Sequence, residues 1–447
     1  MSELFDDAAK RAGRYLESLD TRAVAPGPEA VAALAKFDQA FPENACSAQA
    51  VLAELDETGS PATMASAGGR FFGFVIGGAL PVTVAANWLA TAWDQNAGLV
   101  VTSPINAALE KVSLRWTKEI LHLPLESAGG FVTCATAANF SGLAAARHAL
   151  LSRAGWDVEA SGLFGAPPLK VVVGDEVHAS VQKALSMVGF GRDRVVRVPV
   201  DAQGRMRVEA FPEIDERTIV CVQAGNVNTG AFDPMPEICE RARSRGAWVH
   251  VDGAFGMWAA AAPGRAHLVR GVEDADSWAT DAHKWLNVPY DSGLVFTRDP
   301  DALRSAMSIG GAYLAQDEDR VPYQYTPDFS RRARAIEVWA ALRQLGRAGL
   351  SDLIERTCRH AGRFAEGLRV AGYCVLNEVV LNQVLVSFGS PERTREVIAQ
   401  VQRDGTCWCG GTVWQGNAAM RISVSSWATT DADVESSLAA ILRAASP

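Results

Sequence analysis

Short strands that alternate with helical segments constrain the fold of this chain more than any other feature. Between residues 71 and 345, β-branched apolar stretches are separated by longer segments with helical patterns. Strands are predicted at 169–173, 218–222, 247–251 and 293–296. Such alternation is typical of a mostly parallel sheet that is covered by helices on both faces. The sequence therefore predicts an α/β fold.

Two further regions flank this α/β segment. Residues 1–70 carry helical patterns interrupted by proline- and glycine-rich turns, and they are too few for an independent core. We expect this N-terminal helical arm to pack on another subunit or on the main domain. A helix from Leu350 to Val370 then leads into a smaller α+β region. The predicted divisions are therefore 1–70 for the arm, 71–345 for the large domain and 346–447 for the small domain.

Composition narrows the classes of partner and compartment. The chain has 447 residues, 48% hydrophobic content and a net charge of -9, which disfavours nucleic acid and anionic membrane as partners. Its start is acidic and lacks the pattern of a signal peptide, and it has no apolar run long enough to span a bilayer. The closest cysteine pair, Cys407 and Cys409, lacks the spacing of a metal site. We expect a soluble, cytoplasmic protein with free thiols and no metal.

Lys284 is the only lysine in the C-terminal half of the chain. It follows a strand-like stretch and stands between His283 and Trp285. A desolvated lysine can lose its proton near neutral pH and form a Schiff base with a carbonyl group. For this residue alone, a surface lysine after a strand is the alternative.

Two more polar residues follow predicted strands, at the end of a parallel sheet where ligands bind. Asp252 follows the strand 247–251, and a carboxylate there is costly unless it meets a cation such as a protonated heterocyclic nitrogen. His178 follows the strand 169–173, and its imidazole can stack on a flat ring or transfer a proton. Each has a structural alternative, because Asp252 can be a helix N-cap and His178 a capping or core histidine.

Small residues at 133–139 precede a helix that we predict from Phe140 to Leu151. Small residues at a helix N-terminus expose backbone N–H groups to an anion, although they also serve plain helix packing. Thr136 can add a hydroxyl, and His283 can contact the same phosphate. A Schiff-base lysine, a carboxylate for a pyridinium, a stacking histidine and a phosphate cradle together meet the requirements of pyridoxal 5′-phosphate.

From about residue 70 to its end, the chain resembles the group II pyridoxal-phosphate-dependent decarboxylases, which include the aromatic-L-amino-acid and glutamate decarboxylases. Four motifs carry the resemblance, in order and at suitable spacing: His283-Lys284-Trp285, Val251-Asp252-Gly253-Ala254, the segment 177–184, and Ser103-Pro104 with Leu109-Glu110 and Trp116. The resemblance implies the aminotransferase-like fold type I, a homodimer and pyridoxal 5′-phosphate. It implies decarboxylation of an L-amino acid to the amine and CO2 through an external aldimine.

The resemblance also implies roles for individual residues. Lys284 is expected to form the Schiff base, Asp252 to pair with the pyridine nitrogen and His178 to stack on the ring. Further cofactor contacts are expected from Ala135, Thr136, Asn226, Ala254 and His283. Two of these positions depart from the family pattern, because Asn226 stands where threonine is frequent and the phosphate loop has Ala137 where glutamate is frequent.

Substrate contacts are expected at Arg421, which resembles a family arginine that can pair with a carboxylate, and at Phe72 and Phe74. A structural salt bridge and ordinary core packing are the alternatives. The acid that protonates the product is expected in the stretch 317–330, which offers Tyr323 and Tyr325. Tyr323 is favoured, and His178 is the second candidate.

Three outcomes stay open on this scaffold. The favoured one is simple decarboxylation of an L-amino acid. A changed acid can instead favour oxidative decarboxylation–deamination to an aldehyde, and transamination or C–C lyase chemistry uses the same cofactor. The third is a non-catalytic protein that keeps the fold, and the presence of both Lys284 and Asp252 argues against it.

Overall fold

The chain divides into two compact units. The computed structural model describes residues 2–309 and 320–446. Unit 1 comprises Met1–Gly78, His360–Leu376 and Val384–Pro447, and unit 2 comprises Ala79–Arg359 and Asn377–Gln383. The predicted arm and most of the predicted small domain thus share one unit, whose boundary falls after residue 359 instead of 345.

Backbone pairing explains why the arm belongs with the C-terminal region. Within unit 1, the N–H of Trp408 donates to the carbonyl of Arg70 at the end of the arm, and directly after the arm the N–H of Phe72 donates to the carbonyl of Trp408. Nearer the start, the N–H of Val24 donates to the carbonyl of Gly405. These bonds satisfy backbone groups that would otherwise be buried without partners. The segment therefore contributes to the unit's core instead of forming a domain of its own.

Helices make up much of both units. The α-helices are α1 (Ser2–Ser18), α2 (Pro28–Ala33), α3 (Ala48–Glu54), α4 (Pro81–Trp93), α5 (Pro104–Ile120), α6 (Ala135–Arg153), α7 (Val158–Ser161), α8 (Ala179–Met187), α9 (Met235–Arg243), α10 (Pro300–Met307), α11 (Ala335–Val370), α12 (Pro391–Asp404) and α13 (Asp431–Ala445). The α11 segment is interrupted at Gly346, whose φ of 58° and ψ of -172° are not helical. No helix in the described part of the chain has the length and apolarity to cross a membrane.

The central sheet lies in unit 2. Its strands are β1 (Ala128–Val132), β2 (Lys170–Gly174), β3 (Val196–Val198), β4 (Thr218–Gln223), β5 (Trp248–Asp252), β6 (Ser277–Asp281) and β7 (Gly293–Thr297). In the described residues their order is β1-β7-β6-β5-β4-β2-β3. Strands β2 to β6 pair in parallel, whereas β7 is antiparallel to both β1 and β6.

This sheet confirms the predicted α/β class and its mostly parallel character. The four predicted strands are present, each within one residue of its predicted bounds. Strands β4, β5 and β6 are buried along their whole length, as expected for strands that are covered on both faces.

A smaller antiparallel sheet follows. Its strands are β8 (Cys374–Val375), β9 (Gln383–Ser387), β10 (Gly410–Trp414) and β11 (Asn417–Ser423), in the order β10-β11-β9-β8. The predicted helix from Leu350 to Val370 lies within α11. The C-terminal part of the chain is therefore α+β, as the sequence predicts.

Candidate active site

The first turn of α6 bridges two carboxylates at the carboxyl end of the central sheet. Asp252 is the last residue of β5 and Asp281 is the last residue of the adjacent β6. The backbone N–H of Ala135 donates to Asp281 Oδ1 over 2.6 Å, and Asn139 Nδ2 donates to Asp252 Oδ2 over 3.3 Å. Ala135 and Asn139 are four residues apart, so they lie on one face of the helix. The helix end and both strand ends thus meet in one place.

The helix begins earlier than its sequence suggests. We predicted a start at Phe140, but α6 begins at Ala135, so most of the small-residue segment forms its first turn. The N-cap residue is Cys134, whose side chain caps no N–H group, and this explains why the usual start signal is missing. Since the N–H groups of a first turn have no acceptor inside the helix, those of half-buried Thr136 and Ala137 are suited to an anion.

Lys284 lies beside this helix terminus. Its Nζ is 3.1 Å from Asp281 Oδ2, and its side chain is 20% exposed. Asp281 therefore joins the lysine amine and the start of α6 through one carboxylate. The pairing places a reactive amine and an anion-binding helix end within reach of the same ligand.

His283 faces the same carboxylate. Its Nδ1 accepts a hydrogen bond from the N–H of Ser292 over 3.1 Å, and its Nε2 is 3.6 Å from Asp281 Oδ2. Burial lowers the pKa of His283, although the charge of Asp281 opposes this effect. The ring is therefore neutral near pH 7, with its proton on Nε2. That N–H lies near Asp281, the carboxylate that also accepts the first N–H of α6, and it can act as a donor there.

Asp252 is surrounded by donors. Besides Asn139, Ser180 Oγ lies 3.3 Å from Asp252 Oδ2, and the N–H of Ala254 donates to Oδ1 over 3.2 Å. The last contact resembles the N-cap alternative that the sequence left open. The Ser180 hydroxyl has one proton, which His178 Nδ1 can also accept, so the donors that belong to Asp252 alone are the amide of Asn139 and the N–H of Ala254. Such donors suit a carboxylate, which can only accept. An ionised carboxylate here can pair with a protonated ring nitrogen.

His178 caps α8. Its Nδ1 accepts the N–H of Ser180 over 3.2 Å and lies 2.7 Å from Ser180 Oγ, and its ring is half-buried. Through Ser180, it connects to Asp252. The capping alternative is therefore realised, and the part of the ring that is still accessible is available for stacking.

Gly253 and Ala254 differ in the space around them. A Cβ on Gly253 would lie 2.2 Å from Cγ of Met257, so this glycine makes room for a side chain instead of a flat ring. Ala254 is half-buried, and its carbonyl accepts the N–H of Asp281. Ala254 thus ties the turn after β5 to the end of β6 and keeps an accessible surface.

The side chain of Asn226 stabilises the turn in which it lies. Its Oδ1 accepts the N–H groups of Asn228 and Thr229, over 2.9 and 3.3 Å. Its Nδ2 is buried and has no partner among the described residues. An atom that contacts a cofactor should be accessible from the binding site, and Asn226 Nδ2 is buried. The geometry of Asn226 therefore favours a role in forming the turn over a direct contact with the cofactor.

The predicted substrate residues lie in unit 1. Phe72 is fully buried, and its ring packs edge-on against Phe364 at 5.0 Å, which fits the core alternative. Phe74 is 59% exposed and stacks on Trp408 at 5.8 Å. Arg421 lies on β11 opposite Gly410, and burial lowers its pKa. Phe74 thus keeps an accessible ring, whereas Phe72 does not.

Tyr323 lies in a short 3-10 turn, Pro322–Tyr325. Its ring is buried and stacks on Phe329 with centroids 4.3 Å apart, and its N–H donates to the carbonyl of Gly98. Residues 317–319, the first part of the stretch in which we predicted the acid, lie outside the described residues.

Sequence reasoning missed Asp281, Asn139 and Ser180. Asp281 ends a strand as Asp252 does, and the same rule would have found it. Asn139 required the correct start of α6, because only then does it fall one turn after Ala135. Ser180 stands two residues after His178 and was not distinguishable from an ordinary helix residue.

These residues fit pyridoxal 5′-phosphate by their chemistry. One end of the site offers an amine, a helix N-terminus and an imidazole N–H, which suit an aldehyde and a phosphate. The other end offers a carboxylate that accepts from the amide of Asn139 and the N–H of Ala254, with Ser180 Oγ beside it, which suits a pyridinium. A profile of the pyridoxal-dependent decarboxylase conserved domain matches residues 28–389. The chain belongs to the pyridoxal-dependent decarboxylase family. This membership confirms the resemblance carried by the motifs and the predicted cofactor.

Curated relatives include several activities. An aromatic-L-amino-acid decarboxylase from Bacillus atrophaeus is 29% identical over 306 residues, which cover 64% of this chain and 60% of that protein. A phenylacetaldehyde synthase from Petunia hybrida is 29% identical over 289 residues, covering 60% of this chain and 55% of that protein. An L-2,4-diaminobutyrate decarboxylase from Rhizobium meliloti is 29% identical over 307 residues, covering 65% of this chain and 58% of that protein. The chain thus spans 55–60% of the length of these relatives.

Solved structures share the fold. The crystal structure of Oryza sativa TDC with PLP and tryptamine matches with a TM-score of 0.90 at 22% identity, covering 99% of this chain and 97% of that chain. Mouse CSAD matches with a TM-score of 0.89 at 20% identity, covering 99% and 98%. These likenesses confirm the predicted fold class.

The approach of β7 to the start of α6 yields a test of this site. A Cβ on Gly293 would lie 2.7 Å from Cα and C of Cys134, the N-cap of α6. Gly293→Ala should push the helix start away from Asp281 and weaken cofactor binding by about tenfold, the scale of one hydrogen bond to a charged group. Titration of cofactor-free protein with pyridoxal phosphate measures this affinity. Gly349→Ala is the matched control, because its Cβ would meet only Leu345 at 3.5 Å. Equal affinities for both variants would contradict this account.

Proposed function

We propose that this protein is a pyridoxal-phosphate-dependent decarboxylase that converts an L-amino acid to its amine and CO2. One observation carries the proposal: a single carboxylate, Asp281, contacts both the amine of Lys284 and the first N–H of α6. This arrangement brings a Schiff-base amine to an anion-binding helix end. The names of the curated relatives and the family support decarboxylation.

Each residue has a proposed task. Lys284 attaches the cofactor and releases it to the substrate amine. The first turn of α6, at Ala135 and Thr136, holds the phosphate together with the Nε2–H of His283. Asp252 accepts a hydrogen bond from the ring nitrogen, and His178 and Ala254 flank the ring. The bound cofactor supplies an electron sink for the bond that breaks. Asn226 shapes the turn beside this ring.

Substrate recognition is proposed for Arg421 and Phe74. A guanidinium offers two parallel donors to a carboxylate, and burial makes such a pair stronger than in water. The exposed ring of Phe74 can contact an apolar or aromatic side chain. Phe72, two residues earlier, is buried and supports this segment from the core.

Replacement of Lys284 tests the central role. Lys284→Ala should abolish both the absorption band of the lysine-bound cofactor and amine production, a loss of at least about 10³-fold for a covalent catalyst. The measurement is mass-spectrometric product identification after incubation with a panel of L-amino acids in air, together with the absorption spectrum. Lys111→Ala, at an exposed position on α5, is the control. Turnover retained by Lys284→Ala would rule out this assignment.

A second candidate function is aldehyde synthesis. Some relatives are named phenylacetaldehyde synthases, and a structure of Rhodiola rosea 4-hydroxyphenylacetaldehyde synthase shares the fold with a TM-score of 0.86 at 22% identity, covering 100% of this chain and 98% of that chain. With the cofactor bound as an electron sink, both reactions would release CO2. Amine formation would then need a proton from an acid of this chain, whereas aldehyde formation would need dioxygen as the oxidant, with release of ammonia and hydrogen peroxide. We propose Tyr323 as that acid, with His178 as the second candidate.

Tyr323→Phe separates the two outcomes. The change removes only a hydroxyl and keeps the ring that stacks on Phe329. Loss of the acid should lower amine formation by about 10²-fold or more and raise the share of aldehyde and hydrogen peroxide. Both products are measured in the same reaction. Tyr325→Phe, in the same turn, is the control. An unchanged ratio of amine to aldehyde would exclude Tyr323 and direct attention to His178.

A homodimer is proposed from exposed apolar residues. On α4, the side chains of Trp88, Leu89 and Trp93 are 48%, 55% and 45% exposed in the single chain. On α1, Phe5 is 62% exposed. Exposed apolar patches of this kind mark protein interfaces. A second copy that covers them also suits the arm that we expect to wrap a partner.

The free state of all eight cysteines supports a cytoplasmic location.

The apolar face of α4 can be tested directly. Trp88→Asp should weaken self-association by at least about 10²-fold, because it removes a large buried ring and buries a charge. Sedimentation over a range of concentrations measures the dissociation constant. Phe164→Asp is the control, since Phe164 is 98% exposed away from any helix. If Trp88→Asp remains dimeric at the same concentrations as the control, this face is not the interface.

A further inference from the structure

One face of β5 carries a row of side chains that leads to Asp252. Trp248, His250 and Asp252 alternate along the strand, so they project from the same face. All three are buried, and His250 pairs in register with Ser277 of β6. The site described above uses only the last of them. His250 is a buried titratable group with no task so far.

An unbroken series of hydrogen bonds joins these residues. Trp248 Nε1 lies 2.9 Å from Ser277 Oγ, and Ser277 Oγ lies 2.8 Å from His250 Nδ1. His250 Nε2 lies 2.9 Å from Asn139 Oδ1. Asn139 Nδ2 then lies 3.3 Å from both Ser180 Oγ and Asp252 Oδ2.

Chemistry fixes the direction of this series. The carboxylate of Asp252 can only accept, so the NH2 group of Asn139 faces it and Asn139 Oδ1 faces His250 Nε2. Nδ1 of the neutral ring therefore accepts the proton of Ser277 Oγ, which itself accepts from the indole N–H of Trp248. A neutral imidazole that accepts at Nδ1 carries its proton on Nε2, and it therefore donates to Asn139 Oδ1. With its oxygen turned to His250, Asn139 has its NH2 group turned to Ser180 and Asp252. The series begins at a pure donor and ends at a pure acceptor.

The imidazole is held in this role by its surroundings. Burial lowers the pKa of His250 to about 4, so the ring is neutral at physiological pH. It also lies against α6 at Gly142, where a Cβ would be 2.7 Å from its Cε1 and 2.9 Å from its Nδ1. A glycine in the middle of a helix is unfavourable by itself, at roughly 0.5–1 kcal/mol relative to alanine. Gly142 therefore makes room for the ring at a cost to the helix.

We propose that His250 is a positioning residue: by fixing the orientation of the Asn139 carboxamide, it directs two N–H donors at Ser180 and Asp252 and keeps Asp252 an acceptor for the ring nitrogen of the cofactor. The inference rests on the proposed role of Asp252. If the carboxamide turned over, the oxygen of Asn139 would face the carboxylate of Asp252. Two acceptors would then oppose each other in a buried place, and the carboxylate would lose one of the donors that hold it in position for the ring nitrogen.

The test measures protonation of the bound cofactor instead of turnover. The holoenzyme is prepared with pyridoxal phosphate labelled with ¹⁵N in the ring, and solid-state NMR gives the chemical shift of that nitrogen. We expect a protonated nitrogen in the wild-type chain. His250→Phe should move the shift toward neutral pyridine, since a phenyl ring cannot orient the amide. His250→Gln should keep the wild-type shift, because its amide N–H can donate from nearly the same place.

Two further variants separate positioning from general packing. Gly142→Ala changes no member of the series but displaces the imidazole, and it should move the shift in the same direction as His250→Phe. Cys221→Ala alters a buried side chain in register with His250 and should leave the shift unchanged. A merely structural role would lower the melting temperature of these variants and leave the shift where it is.

The outcomes distinguish this inference from the proposed function. If His250→Phe does not bind cofactor, the comparison of Gly142→Ala with His250→Gln decides. A protonated nitrogen in the wild type that persists in His250→Phe and Gly142→Ala overturns the positioning role and leaves the proposed function intact. A wild-type chain that binds no cofactor, or binds it with a neutral ring nitrogen, overturns the proposed role of Asp252 and the inference with it.

Discussion

Two buried carboxylates at neighbouring strand ends need donors, and the start of α6 supplies one to each. Asp281 accepts the first N–H of the helix, and Asp252 accepts the amide of Asn139 one turn later. A helix N-terminus carries a partial positive charge, so it stabilises anions placed there. Without these donors, two carboxylates held within one sheet edge would be costly to bury. The position of the helix and the charge state of the strand ends therefore depend on each other.

This arrangement gives the site two chemically different ends. At Asp281 the neighbours are donors or cations: the amine of Lys284, the Nε2–H of His283 and the free N–H groups of the helix. At Asp252, Asn139 and the N–H of Ala254 already donate to the carboxylate. A ligand at this end therefore meets an acceptor that carries negative charge. A ligand with a phosphate at one end and a basic nitrogen at the other is oriented by this polarity before any shape complementarity is considered. The orientation thus follows from backbone positions that the sheet fixes.

The sequence was informative where a residue's role follows from its place on a strand. Asp252 could be found because it ends a β-branched run, and Lys284 because it is isolated from other lysines and stands between His283 and Trp285. The four predicted strands lie within a residue of their observed bounds, whereas β1, β3 and β6 were not predicted. The sequence does not indicate which distant segments pair with each other, so roles that depend on such pairing could not be predicted. The grouping of the arm with the C-terminal region arises from backbone bonds such as that between Arg70 and Trp408, which are distant in the chain. The start of α6 was misplaced because Cys134 is not a recognisable N-cap. His250 was overlooked, although the alternation of Trp248, His250 and Asp252 on a buried strand could have marked it.

The structural division also bears on how one scaffold supports different reactions. The groups that we propose to hold the cofactor, from Ala135 to Lys284, all belong to unit 2 and lie at or beside the ends of its central sheet. The proposed substrate contacts Phe74 and Arg421 belong to unit 1, and the proposed acid Tyr323 lies on a short turn outside the sheet. Loops and surface segments change more freely than a packed sheet does. The proposed substrate contacts and the proposed acid thus lie outside the central sheet, so they can differ between proteins that keep its cofactor contacts, although Arg421 is itself held on strand β11.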